Sequence, residues 1–262
     1  MLHSALMNVM VKAARRAGRS LKRDLGEVEN LQVSMKGPAN FVTLADKRAE
    51  EMLYSDLTKA RPGYGFLGEE GGIREGTDKS HTWIVDPLDG TTNFLHGIPQ
   101  FAISIALQRD DQIIAGLIYN PANDELYMAE RGGGAFLNDQ RLRVAGRRQL
   151  NECVIACGLP HIGRGDFALA QKEMGALQPK VAGFRRFGAA SLDMAAVAAG
   201  RFDGYWERNL SAWDIAAGIV MVKEAGGTVG ELDGGDLLKT GNVVCGNEFV
   251  HGELTRILRP LK

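Results

Sequence analysis

Apolar residues recur at helical spacing at the start of the chain, at Leu2, Leu6, Val9, Ala13, Ala17 and Leu21. This spacing predicts an amphipathic helix over 2–25. Lys12, Arg15, Arg16, Arg19, Lys22 and Arg23 fill its polar positions. Thr43-x-x-Asp46 opens a second predicted helix that reaches Ala60, and Pro62-Gly63 closes it. Strand-like runs follow at Tyr64–Leu67, Trp83–Val85, Phe101–Gln108, Ile113–Tyr119 and Glu125–Ala129, punctuated by glycines and Asn-Asp pairs. Strands that succeed one another without intervening helices predict an antiparallel or mixed sheet rather than strict βαβ units.

The texture changes around Arg147–Asn151. Strands and helices then alternate: strand Val154–Cys157, a helix from Asp166 to Leu177, strand Phe184–Phe187, an Ala-rich helix Ala190–Ala199, strand Gly204–Glu207, helix Ala212–Ala225, strand Asn242–Cys245 and helix Phe249–Leu258. The chain therefore divides into an N-terminal α+β half, 1–147, and a C-terminal α/β half, 148–262. There is no internal repeat, and Gly132-Gly133-Gly134 is a tight turn, too short for a linker.

The bulk numbers narrow the class. The 262 residues suffice for one large domain or two modest ones. Apolar residues at 45% and charged residues at 24% are those of a soluble globular enzyme. A net charge of −1 gives no general affinity for nucleic acid or acidic membranes. No apolar run has the length of a transmembrane helix. The basic first segment lacks the apolar core of a signal peptide, so a cytoplasmic location is expected and Asn209-Leu210-Ser211 is an irrelevant glycosylation match. Cys153, Cys157 and Cys245 are an odd, low count that suits a reducing compartment and reads as buried small apolar residues.

Chemistry concentrates in Asp86-Pro87-Leu88-Asp89-Gly90, followed by Thr91-Thr92-Asn93 and preceded by Gly68-Glu69-Glu70. Unpaired carboxylates packed together repel, and burying them costs several kcal/mol, on the order of the penalty for a buried ion. A bound cation relieves that cost, and oxygen ligands select a hard ion such as magnesium. In Trp83-Ile84-Val85-Asp86 an apolar strand ends on a carboxylate. Pro87 breaks the ladder and can turn Asp86, the Leu88 carbonyl and Asp89 toward one point. Gly90-Thr91-Thr92 can present N–H groups and hydroxyls to a phosphate at the start of a short helix. Glu69 and Glu70 read either as surface charges or, beside this motif, as a further ligand. Asp214 has two readings as well, because Ser211-x-x-Asp214 is a capping box opening an apolar helix that Gly226-Gly227 ends. No Cys, Ser or His nucleophile motif and no P-loop is present, which favours direct attack by water.

These segments together resemble the inositol monophosphatase family, within the magnesium-dependent, lithium-sensitive phosphatases. The resemblance is carried by Gly68-Glu69-Glu70, the run from Trp83 to Asn93, and Trp213-Asp214 through Glu224-Ala225-Gly226-Gly227. Lys36, the Asp46 segment and Gly132-Gly133-Gly134-Ala135-Phe136-Leu137-Asn138 extend it over essentially the whole chain. It implies a layered αβαβα sandwich with the metals between its halves. Glu69, Asp86, Asp89, Asp214 and the Leu88 carbonyl would hold two or three Mg²⁺ ions, with Glu69 and Asp89 counted among the catalytic groups. Asp46 and Thr91 would orient the attacking water, and Gly90 and Thr91 would contact phosphate. Glu207, Asp214 and the Gly188-Ala189-Ala190 segment would meet a small phosphorylated polyol, and Lys36 would balance charge. The implied reaction is hydrolysis of myo-inositol 1-phosphate by in-line attack of a metal-activated water. Fructose 1,6-bisphosphate, histidinol phosphate and glycerol 2-phosphate are alternative substrates. The chain departs from animal members at Ala189, where they carry threonine, and at Ser211, where they carry histidine. A homodimer is implied. Some bacterial relatives also act in ribosomal-RNA transcription complexes, a role to which Arg185-Arg186 and the basic first helix could contribute.

Overall fold

The structure is a computed structural model that describes residues 4–25, 33–37 and 40–261. Its first part runs α1 (Ala5–Leu25), β1 (Val33–Gly37), β2 (Asn40–Thr43), α2 (Leu44–Ala60), β3 (Tyr64–Gly68), β4 (Gly72–Arg74), β5 (Asp78–Asp89), α3 (Thr91–Leu95), β6 (Ala102–Arg109), β7 (Gln112–Asn120), β8 (Glu125–Glu130), β9 (Gly134–Leu137) and β10 (Gln140–Arg141). The second runs β11 (Val154–Cys157), α4 (Phe167–Leu177), β12 (Gly183–Arg185), α5 (Ala190–Ala198), β13 (Gly204–Glu207), α6 (Ala212–Glu224), β14 (Thr228–Glu231), α7 (Leu237–Thr240), β15 (Val243–Gly246) and α8 (Glu248–Leu258).

Two large sheets organise these elements. One has eight strands in the order β10-β9-β8-β7-β6-β5-β3-β4, and the other five in the order β12-β11-β13-β15-β14. The larger sheet is antiparallel apart from the β3–β5 pair, as successive strands predict. In the smaller one β11 runs parallel to β12 and β13, while β15 pairs antiparallel with β13 and β14.

Alternation along the strands assigns the layers. On β5, Trp83 and Val85 pack with Met10, Leu21, Leu53 and Leu57 of α1 and α2, whereas Ile84 faces the opposite way. That second face shares one core with α5, α6 and inward residues of the small sheet such as Ala156, Tyr205 and Cys245. Ile155, Cys157, Trp206 and Val244 point to the far side, where Leu177, Val250 and Leu254 of α4 and α8 cover them. The result is a five-layer α/β/α/β/α stack. Helices α5 and α6 carry no amphipathic stripe because both sides of that layer are buried. All three cysteines are free and buried, as small apolar residues would be. Among the described residues no helix is long and apolar enough to cross a membrane.

The structure corrects two expectations. β5 does not end at Asp86 but continues to Asp89, because a bulge absorbs the extra residue: Asp86 faces Ser104 while Asp89 faces Ala102. Proline is tolerated at such a bulge, where the ladder is already interrupted. The strand expected over Phe184–Phe187 is instead Gly183–Arg185. The short strands β4, β9, β10 and β14 carry too little alternation to be read from the sequence. Each is held by pairing to a neighbour already in the sheet.

Close contact between α6 and the large sheet depends on Gly116 of β7. A Cβ there would meet Val220 Cγ1 at 2.6 Å and the Ala217 carbonyl at 2.7 Å. Gly116→Val should therefore cost about 1–3 kcal/mol by overpacking. It should also lower activity, because the helix it displaces begins beside Asp214. Urea denaturation and turnover of the same sample check both effects; unchanged stability would show that the layer can yield.

Candidate active site

Glu69 is placed by an extension of the β3–β5 pairing, in which its N–H donates to the Val85 carbonyl at 3.2 Å, one residue before Asp86. The turn after it is clamped from α2, because the buried Glu50 accepts from the Glu70 and Gly71 N–H groups at 2.8 and 2.7 Å. Asp86 accepts from the Leu88 N–H at 2.9 Å, a bond made inside the bulge. Gly90 has φ +84° and caps α3; a Cβ there would crowd the Gln100 carbonyl at 2.9 Å. Thr91 Oγ1 lies 3.0 Å from the Leu88 carbonyl and 3.3 Å from Asp46 Oδ1, so the hydroxyl joins α2 to the motif.

The second half contributes Asp214 from the first turn of α6. The expected capping box is present, with Asp214 Oδ2 accepting from the Ser211 N–H at 2.7 Å. Capping holds the side chain at the helix start, so the capping reading holds, and the same position places Asp214 at the cleft. Ser104, the cross-strand neighbour of Asp86, donates to the Trp213 carbonyl at 3.2 Å and fixes α6 against β6. Asn93 ties the same motif to the other half by donating to the Phe187 carbonyl at 2.7 Å, and to the Gln100 carbonyl of its own half at the same distance.

Asp89, Gly90, Thr91, Gly188, Ala190, Glu207 and Asp214 line a cleft of about 290 Å³, whereas Asp46, Glu69, Asp86 and Leu88 are not among its lining residues. Ala189 is only 1% exposed and faces Gly90 rather than the opening. Lys36 lies on β1, and its side chain is outside the described residues.

The electrostatics are those of crowded, buried carboxylates. Burial raises Asp86 well above the usual carboxylate range, with Glu69, Asp89 and Asp214 adding to the effect. Asp89 is pushed up to about 7, mainly by burial and against two stabilising bonds from Ser191. Asp214 and Glu207 are each raised to about 7, again by burial first, while Arg164 opposes both shifts. An all-oxygen donor set whose members disfavour one another's ionisation fits a hard divalent cation. Among the described residues no three His, Cys, Asp or Glu side chains are grouped as a ready-made metal cage.

Sequence reasoning missed several contributors. Ser191 donates to Asp89 Oδ2 from its N–H at 2.8 Å and from its hydroxyl at 2.5 Å. Ala189, at the N-cap of α5, offers no side-chain acceptor, so Asp89 caps that helix from the other half of the chain. Tyr205 donates to Glu207 Oε2 at 2.5 Å. Arg164 lies at the cleft rim with Nη2 4.0 Å from Asp214. No local pattern flags these residues, except that Tyr205 alternates with the outward-packed Trp206.

Comparison with known proteins agrees with this architecture. Residues 3–261 match the family described as "Inositol monophosphatase family". The chain is 61% identical over 260 residues to the Mesorhizobium japonicum protein named "Inositol-1-monophosphatase", covering 99% of this chain and 98% of that one. It is 41% identical over 246 residues to "Nus factor SuhB" of Escherichia coli, covering 94% and 92%. The crystal structure of extragenic suppressor protein suhB from Bartonella henselae superposes with a TM-score of 0.95 at 56% identity, covering 98% of this chain and 99% of that one.

Proposed function

This chain belongs to the inositol monophosphatase family and is a metal-dependent phosphatase, and we propose that it hydrolyses myo-inositol 1-phosphate with Mg²⁺ as the metal. The observation that carries the reading is the set of buried, mutually opposed carboxylates of β5 and α6 with raised pKa values, of which Asp89 and Asp214 line one cleft. Glu69, Asp86, Asp89, Asp214 and the Leu88 carbonyl are the donors for two or three ions. When bound, the ions neutralise the phosphate dianion, activate water and stabilise the leaving alkoxide.

The chain's own groups do the rest. Thr91 Oγ1 donates a hydrogen bond to Asp46 Oδ1 at 3.3 Å, and the pair orients the attacking water by hydrogen bonding. Free N–H groups at the start of α3, set by Gly90, receive phosphate oxygens. Glu207 and Asp214, with the backbone of 188–190, face the polyol. The choice of substrate is supported by the name of the relative at 61% identity.

A panel of myo-inositol 1-phosphate, glycerol 2-phosphate, histidinol phosphate and fructose 1,6-bisphosphate, assayed with Mg²⁺ and compared by kcat/KM, tests the assignment. Inositol 1-phosphate should be favoured by about tenfold, the scale of one good polar contact. Another ester ahead by that margin would replace it. Lithium titration in the same assay should inhibit, because a monovalent ion at a Mg²⁺ site supplies less charge to the leaving group. A cytoplasmic homodimer completes the proposal, with mass by light scattering as its check.

A second, subordinate reading is a binding role in transcription complexes, favoured by the similarity to the Escherichia coli protein named as a Nus factor. Part of the basic face of α1 is already engaged within the chain, since Arg16 pairs with Asp56 at 2.6 Å and Arg15 lies 3.6 Å from Asp124. Arg186 lines the catalytic cleft, which leaves Arg185 as the more outward of that pair.

A further inference from the structure

Gly158 follows β11 and has no part in the phosphatase chemistry assigned to the cleft. Its N–H donates to the Trp206 carbonyl at 3.2 Å, which places it beside Glu207. Its backbone is not in the left-handed region, so conformation alone does not demand glycine. Space does. A Cβ at this position would fall inside the Glu207 carboxyl group, and the three nearest atoms all belong to that carboxyl. Glu207 therefore lies directly on the bare face of Gly158. From the other side Tyr205, fully buried in the central layer, donates its hydroxyl to Glu207 Oε2.

We propose that Gly158 and Tyr205 are positioning residues that fix the Glu207 carboxylate and so set selectivity for a substrate bearing a hydroxyl at that point. The proposal rests on the reading of Glu207 as acceptor for a substrate hydroxyl. A carboxylate held by two neighbours accepts such a hydroxyl without first losing side-chain freedom, which is the advantage of preorganisation. Burial raises Glu207 to about 7 while the Tyr205 bond opposes the shift, as expected of a carboxyl kept in an unfavourable place by specific contacts.

The displaced position is also present. A second cavity of about 70 Å³ adjoins the cleft across Glu207, and Gly158, His161, Arg164 and Arg208 help to line it. Arg164 and Arg186 both favour the ionised form of Glu207. The three atoms nearest a methyl group at 158 are the end of a flexible side chain, and that side chain has space and countercharge to move toward. Gly158→Ala should therefore fold, with Glu207 displaced.

The test compares wild type, Gly158→Ala, Tyr205→Phe, Glu207→Gln and the Gly158→Ala/Glu207→Gln pair on myo-inositol 1-phosphate and on 4-nitrophenyl phosphate, which has no alcohol hydroxyl. Gly158→Ala should raise KM for the inositol ester about tenfold, the scale of one hydrogen bond to a charged group, with a much smaller change in kcat. Its loss on the nitrophenyl ester should be several-fold smaller, and the double variant should be no worse than Glu207→Gln. A crystal structure of Gly158→Ala should show the carboxyl off the Tyr205 hydroxyl. Equal losses on both esters, multiplying effects in the double variant, or a carboxyl still in place would overturn the proposal. If Glu207→Gln leaves the inositol KM unchanged, the reading of Glu207 fails, and the crystal structure still decides whether Gly158 positions it. Should Gly158→Ala not fold, Tyr205→Phe carries the kinetic test, because it removes the hydroxyl and adds no volume; an unchanged inositol KM in that variant counts against the proposal.

Discussion

Asp89→Asn should lower Mg²⁺-dependent turnover on the order of a thousandfold, the scale for loss of one preorganised electrostatic group at a reacting centre, while the chain stays folded. Asp89 has two duties that this substitution separates. Its Oδ2 accepts from the Ser191 N–H and hydroxyl, which caps α5. An asparagine oxygen can accept the same bonds, so the helix start is retained within about 1 kcal/mol. The negative charge is lost, and on the proposed reading that charge holds a hard cation, which in turn offsets the phosphate. Removing one member of a repelling buried set also relieves the metal-free protein. At alkaline pH the variant should melt no lower than wild type in chelator, yet gain little from Mg²⁺. Asp89→Ala should lose both activity and the cap, and melt lower. Calorimetry and kcat on the three proteins separate these outcomes. Near-normal Mg²⁺-dependent kcat in Asp89→Asn would remove Asp89 from the metal site.

The second large effect is a dependence of stability on pH that inverts on metal binding. Asp89 and Asp214 are raised to about 7 in the folded chain, and Asp86 is raised as well, from the ordinary aspartate value of 3.8. Between these limits the folded state binds more protons than the unfolded state. The contribution of the cluster is therefore complete below the unfolded pKa and declines as pH rises through the folded values near 7. The loss amounts to a few kcal/mol, because each tenfold change in a proton affinity is worth about 1.4 kcal/mol and the set titrates together. In chelator the protein should melt lower at about pH 8.5 than at about pH 6, against the usual direction for paired carboxylates. Saturating Mg²⁺ replaces the missing protons with a cation. At a hundred times its Kd it should add about 2.7 kcal/mol, or roughly 5–10 °C for a chain of this size. The gain should shrink toward about pH 5.5, where protons compete for the same oxygens. Differential scanning fluorimetry across pH, with and without Mg²⁺, measures all of this. Metal-free stability that rose steadily through neutral pH would mean that the carboxylates are not mutually opposed.

The motif from Trp83 to Asn93 was legible because its chemistry is local. A proline between two carboxylates and a glycine before two threonines restrict the backbone over a few bonds. The helix-opening role of Ser211 and Asp214 was legible for the same reason, since a capping box spans one helical turn. What these segments do to one another was not. Asp89 capping α5, Ser104 holding the start of α6 and Glu50 clamping the turn after Glu69 join residues from separate elements. Ala189 shows the limit from the other direction. In sequence it stands at the substrate face, and in the fold it is buried against Gly90.

By itself the sequence determined the mixed α/β class, the oxygen-rich motif and the acid that opens α6, because periodicity, turn chemistry and capping act within one or two turns of chain, while the layering came from the family resemblance. Tertiary structure alone decided that Asp89 holds the two halves together through Ser191 and that Asp214 reaches the same cleft. It also decided that β5 runs through its proline as a bulge and that a bare glycine carries Glu207. Burial, crowding and steric contact depend on distances across the stack, and along the chain partners such as Asp89 and Ser191 or Ser104 and Trp213 are 102 and 109 residues apart, a span over which no local pattern carries information.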